Sequence, residues 1–273
     1  MRNRATFPQT LVRSLLRPVP KIAIVLGVML GAMGSLCRLP AQAENPETAP
    51  PELIRLLSDA DAAANRRAAE DVMEFYSPDF THSDGWTHKT LTETLENAWE
   101  SYTQLNYRTE LVSWEAQGDE IVAETVTQIT GIEEWENREF ALNATLRSRQ
   151  HYRNGKIVHQ EILGEESQLT SGDNPPSLDV RLPEQVAPEG QYYFDAIVSE
   201  PLDEDFLIGT ALEKPVNLEA YLNSGTLELE GLPAGGIFKV GQASAETGDY
   251  WVSTVIIREG GISAISRRLR VAE

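Results

Sequence analysis

All four histidines of this 273-residue chain, His82, His88, His151 and His159, fall in its first 160 positions, together with Trp86, Trp99, Trp114 and Trp135. Acid-base chemistry without a cofactor needs a histidine or carboxylate of suitable pKa facing an apolar space, with a donor to hold the charge that develops. The first half therefore holds the better candidates. His159 and Glu161 alternate on the closing strand with Ile157 and Leu163, so they point to the same face as apolar residues and are candidates to line a pocket. The alternative is a solvated or dimeric face. His82 and His88 stand six apart across a glycine-containing turn, which matches no common zinc spacing, and no metal or cofactor is expected. Asp84 precedes Gly85, and an aspartate before glycine is ordinarily a turn residue. No nucleophile elbow, phosphate loop or metalloprotease helix is present.

The elements that must position these groups come in a distinct order. Residues 1–43 read as an export signal: a basic stretch from Arg2 to Lys21, an apolar run from Ile22 to Leu36, and the small-x-small site Ala41-Gln42-Ala43. The run is shorter than the about 20 apolar residues that span a bilayer, so no stable membrane insertion is expected after removal. Cys37 follows Leu36 rather than a small residue, against a lipid-attachment site. Removal takes six basic residues and the one cysteine, leaving 17 Lys and Arg against 42 acids, a net charge of −25. Such a chain is a poor partner for nucleic acid or anionic lipid. The expected location is periplasmic or extracellular.

Residues 44–50 read as a flexible start. From Pro51 the apolar spacing is helical through Leu53, Leu56, Leu57, Ala60 and Ala63, breaks at Asn65-Arg66-Arg67, and resumes to Tyr76. A second helix opens at Thr90 with a capping-box pattern and buries Leu91, Leu95, Trp99 and Tyr102. Strands are predicted over 107–116, 119–131, 138–153 and 156–164, with Asn154-Gly155 as a hairpin turn. One face of 138–153 is apolar from Phe140 to Tyr152. The other carries Arg147, Arg149, His151 and Arg153, to be paired with neighbouring acids such as Glu110 or Glu124 or offered to a partner. Residues 168–177 read as a linker. Seven short strands between 178 and 273 suggest an all-β immunoglobulin-like sandwich without its disulfide.

The helix pair ending in Phe75-Tyr76-Ser77-Pro78-Asp79-Phe80, the segment His82 to Gly85, the helix with Trp99, and the hairpin Tyr152 to Val158 give residues 51–167 a resemblance to the nuclear transport factor 2-like superfamily. More narrowly, the segment is similar to its SnoaL-like and ketosteroid-isomerase-like cone folds. The resemblance implies an α+β cone, with helices packed on a curved antiparallel sheet, an apolar pocket and frequent dimerisation through the sheet. It places the catalytic candidates at His82 and Asp84, just after the first short strand. Pocket-lining candidates are Tyr76, Trp86, Trp99, Tyr102, His159 and Glu161. The fold hosts isomerases, cyclases, dehydratases and binding proteins alike. Three readings follow: an exported binding or assembly module that holds an apolar small molecule or mediates dimerisation, its sandwich contacting another protein; a cofactor-independent isomerase, cyclase or dehydratase using His82 or Asp84 with Tyr76 or His159 as helper; or a structural protein whose cone is filled by its own Trp and Tyr side chains.

Overall fold

Sixteen-residue strands dominate the architecture because long alternating runs of β-branched and polar residues are separated by only two-residue turns. The computed structural model describes residues 43–201, 206–217 and 227–273. The proposed export signal lies outside them, save for Ala43.

Three helices come first: α1 (Pro51–Asn65), α2 (Ala69–Met73) and α3 (His88–Ser101), with β1 (Tyr76–His82) between the last two. Arg67 ends the first helical run with a left-handed φ of 57°, at the polar break the sequence predicts. Helix α3 starts earlier than expected. Its N-cap is Thr87, whose hydroxyl accepts from the Thr90 amide while Thr90 accepts from the Thr87 amide, so Thr90 is the third helical residue of the box. Tyr102 heads the following strand instead of closing the helix.

Strands β2 (Tyr102–Gln117), β3 (Glu120–Trp135), β4 (Arg138–Arg153) and β5 (Lys156–Ser171) form an antiparallel meander, and β1 adds to β5 in parallel. The first half is thus α+β, with helices packed on one face of the sheet. Leu53 and Leu57 of α1 and Leu91 of α3 share a core with Ala123, Leu146, Tyr152 and Ile162 of the strands. On β4 the apolar face from Phe140 to Tyr152 is buried as its alternation predicts. Gly131, the last residue of the strand predicted over 119–131, lies inside β3. A Cβ there would stand 2.8 Å from the Gln104 carbonyl oxygen, so glycine permits the close approach of β2. The turn itself is carried by Glu136 and Asn137, at φ of 48° and 62°.

The expected flexible start is tied down. Its residues 46–48 form a short 3₁₀ turn, Glu44 bridges to Trp114, and the Trp114 indole donates to Thr48 at 3.2 Å.

The C-terminal strands are β6 (Leu178–Arg181), β7 (Gln185–Val186), β8 (Gln191–Val198), β9 (Ile208–Pro215), β10 (Glu230–Gly231), β11 (Gly236–Gln242), β12 (Gly248–Arg258) and β13 (Gly261–Val271). Strands β6, β8 and β11 make a three-stranded sheet. It packs on β9, β12 and β13 through Val180, Phe194, Ala196, Val252, Ile256 and Leu269. The second of these layers does not stand alone. Strand β13 pairs with β5 from Ile262 opposite Ser171 to Arg267 opposite Glu166, so one sheet of ten strands runs through both halves. The segment 168–177, expected as a linker, begins as the last four residues of β5. Its Leu169 side chain is buried, and its backbone serves a ladder on each side.

Candidate functional site

Between the helices and the sheet of the first half lies a cavity of about 160 Å³. Leu56, Leu57, Leu95, Leu105, Leu142 and Leu146 form much of its wall, and its polar groups include Asp61, Tyr76, Tyr107, Gln150, Tyr152 and Gln160. No Lys, Arg or His among the described residues lines it.

Local bonds explain how the helix side is held. Asp61 and Asn65 stand one turn apart on α1, on the same face. Asn65 makes a reciprocal pair with the Tyr107 backbone, donating to its carbonyl at 3.0 Å and accepting from its amide at 2.7 Å. Asp61 accepts from the Thr109 amide at 2.6 Å and from its hydroxyl at 2.7 Å. The Trp99 indole donates to the Tyr107 hydroxyl at 3.1 Å. Burial, with the Asp61 charge behind it, pushes the Tyr76 phenol up to about 12 and drives Tyr152 well above the usual tyrosine range. Both remain protonated donors at any physiological pH. Tyr152 donates to Gln150 Oε1. Gln160, opposite Gln150 on the neighbouring strand, is 3% exposed, and its Oε1 accepts from no group.

Tyr76 and Tyr102 line the cavity as expected residues. Burial pushes the Glu133 carboxyl up to about 7, although the neighbouring Tyr102 hydroxyl favours its charged form. Trp86 and Trp99 are buried beside the cavity without lining it; they are core.

His159 and Glu161 face away, and the cause is a bulge. His151 pairs with His159 and Tyr152 with Ile157, which leaves Val158 as an extra residue. The inserted residue exchanges the faces up to a second bulge at Leu163, so Gln160 and Ile162 turn inward where His159 and Glu161 were expected. His159 meets the Thr81 hydroxyl at 2.9 Å and lies edge-on to His151. Glu161 pairs with Arg149 at 3.0 Å and Arg270 at 3.3 Å. Arg149 also reaches Glu124 at 2.7 Å, so much of the basic stripe is neutralised by acids of flanking strands. Glu110 instead pairs with Arg108.

His82 and Asp84 are together but outside the cavity. His82 is fully buried, edge-on to Phe80, and its Nδ1 accepts from the Asp84 amide at 3.4 Å. Burial holds its imidazole down to about 3 although Asp84 favours the charged form, so the ring is neutral. Asp84 accepts a two-pronged bond from Arg268 of β13, at 2.9 Å and 2.6 Å. Arg268 also contacts Asp249 at 2.6 Å and Glu165 at 3.3 Å, and the Trp251 indole donates to Glu165 at 3.0 Å. Burial opposes ionisation of Asp84, yet the Arg268 and His82 bonds outweigh it and keep the carboxyl below its usual range. A carboxylate committed to a guanidinium is a weak base. The pair acts as a structural tie between the halves.

Residues 173–272 match the family described as Domain of unknown function (DUF8623), a span that begins just after β5. No curated protein matches the chain. Among solved structures, the chain is similar to a putative scytalone dehydratase from Novosphingobium aromaticivorans, at 13% identity over 41% of this chain and 80% of that one, with a TM-score of 0.34. It is also similar to an LEH-like epoxide hydrolase from Mycobacterium tuberculosis, at 12% identity over 41% and 80% of the chains and a TM-score of 0.29. A protein of unknown function from the same organism matches at 16% identity over 41% and 68%, with a TM-score of 0.31. At these scores the likenesses carry no argument about activity, and the site is read from its own geometry.

Proposed function

We propose that the chain is an exported, non-catalytic binding module whose cone-like first half encloses a compact, neutral, largely apolar small molecule. The observation that carries this reading is the roughly ring-sized cavity itself, walled by leucines and tyrosines, beside a His82–Asp84 pair that is ion-paired away from it. Apolar cavities of about 150 Å³ take one benzene-sized molecule. The absence of a basic side chain in the described lining, with Asp61 present, disfavours anions. Export rests on the leader-like order of residues 1–43. The C-terminal layers, read as an immunoglobulin-like sandwich, would brace the cavity through β13 and β5.

Calorimetric titration with toluene tests the cavity. The wild type is expected to bind, and Ala60→Phe, which fills the space from α1, to weaken binding at least tenfold while retaining a cooperative unfolding transition. Equal binding by both proteins would place the ligand elsewhere. Under the competing enzymatic reading, the cavity would feed a reaction at His82 and Asp84, and ring ligands would contact those residues.

A further inference from the structure

We infer that the ligand carries a hydroxyl or comparable neutral donor and gives its hydrogen bond to Gln160 Oε1, which makes Gln160 a specificity-determining residue of the cavity. The inference rests on the binding reading above and names the chemical class within it.

Three observations lead there. Gln160 is buried, lines the cavity, and its Oε1 accepts no bond. Buried side-chain acceptors are nearly always satisfied, because leaving one unpaired forfeits its hydration. The neighbouring amide Gln150 already accepts from Tyr152, so it does not compete for the same donor geometry. Asp61 already takes two bonds from Thr109. An ammonium ligand would need a carboxylate free to neutralise it in a buried space, which Asp61 is poorly placed to be. A neutral donor on an otherwise apolar ring satisfies Gln160 and leaves the leucine wall in contact with carbon.

Position explains why glutamine stands here. The Val158 bulge turns residue 160 inward on β5 beside Gln150 of β4 and His82 of β1. A polar side chain at this point is a recognition feature in a cavity walled largely by leucines.

The test compares three single-ring probes, toluene, p-cresol and 4-methylanisole, by calorimetry on the purified protein and on Gln160→Met. The wild type is expected to bind p-cresol about fivefold to tenfold more tightly than toluene, the value of one net hydrogen bond. The anisole, which accepts but cannot donate, should bind like toluene. In Gln160→Met the cresol advantage should shrink to within about twofold, with toluene affinity retained as the sign of an intact cavity. Equal wild-type affinities for cresol and toluene would overturn the role of Gln160 and leave the cavity reading standing. An advantage shared by the anisole would show that the amide presents its Nε2 and would overturn the donor class. An advantage that survives in Gln160→Met would assign it to another group. Failure of every ring to bind the wild type would remove the cavity reading and this inference together. Should Gln160→Met not fold, the three wild-type affinities decide.

Discussion

Replacing Arg268 with Met is expected to cost about 3–5 kcal/mol of stability, the loss typical when one member of a buried ion pair is removed. The Arg268 side chain is 2% exposed, with Asp84 at 5%, Glu165 at 3% and Asp249 at 15%. Its removal strands Asp84 and Glu165 with little access to water, while Asp249 keeps Arg270 at 3.2 Å. Burial opposes the charge on Arg268 as well, but Asp84, Glu165 and Asp249 outweigh it and hold the guanidinium firmly charged. A triple replacement, Arg268→Met with Asp84→Asn and Glu165→Gln, should recover at least half of the loss, because it removes the stranded charge. Urea unfolding at neutral pH measures both. A loss under about 1 kcal/mol in the single variant would mean the cluster is solvated and does not tie the halves together.

Acidification should reveal the buried neutral imidazole. An unfolded histidine titrates near 6.5, whereas His82 in the fold is held down to about 3, chiefly by burial. Below pH 6.5 the unfolded chain takes up a proton that the folded chain refuses. Its stabilising contribution is therefore complete above 6.5 and is lost as pH falls toward 3, by about 1.4 kcal/mol per unit. Between pH 6.5 and 4.5 that amounts to about 3 kcal/mol. Glu133 works in the opposite sense. Its folded carboxyl, raised to about 7 by burial, binds a proton before the unfolded one does, so the fold gains stability as pH falls from 7 toward 4.5. Solvent screening of this half-buried group keeps its effect smaller. Unfolding free energies at pH 7, 6 and 5 should show His82→Gln losing less on acidification than the wild type, and Glu133→Gln losing more. Parallel curves for His82→Gln and wild type would contradict the buried neutral ring.

The strand β4 was legible to its end residues because its alternation, the turn at Asn154-Gly155 and the acidic run Glu133-Glu134-Trp135-Glu136-Asn137 before Arg138 all agree. The helix break at Arg67 was legible for the same reason. Strand β5 was not. The predicted strand stops at 164, since Gly164 and the acidic pair after it break the apolar pattern, yet the strand continues to Ser171 because β13 supplies a second ladder. Its inward face was misplaced by the bulge at Val158, one of two in its pairing with β4 and a feature that leaves no mark in one strand's composition. This one register change removed His159 and Glu161 from the site and brought in Gln160. Asp84 was legible as a turn residue next to Gly85, while its partner Arg268 is 184 positions away and could be found only from the fold. Asp61 and Asn65 did carry a local signal, polar residues one turn apart in a helix otherwise apolar toward the core, and the sheet supplies the partners that give it meaning.

The central claim, that the cavity rather than the His82–Asp84 pair is the functional site, is tested most directly by a crystal structure of the protein grown with bromobenzene. The anomalous signal of bromine locates the ring without assumptions about chemistry. A bromine within the space bounded by Leu57, Tyr76, Leu146 and Gln160 is the expected result; bromine against His82 and Asp84, or confined to the outer faces of the sheet, would contradict it.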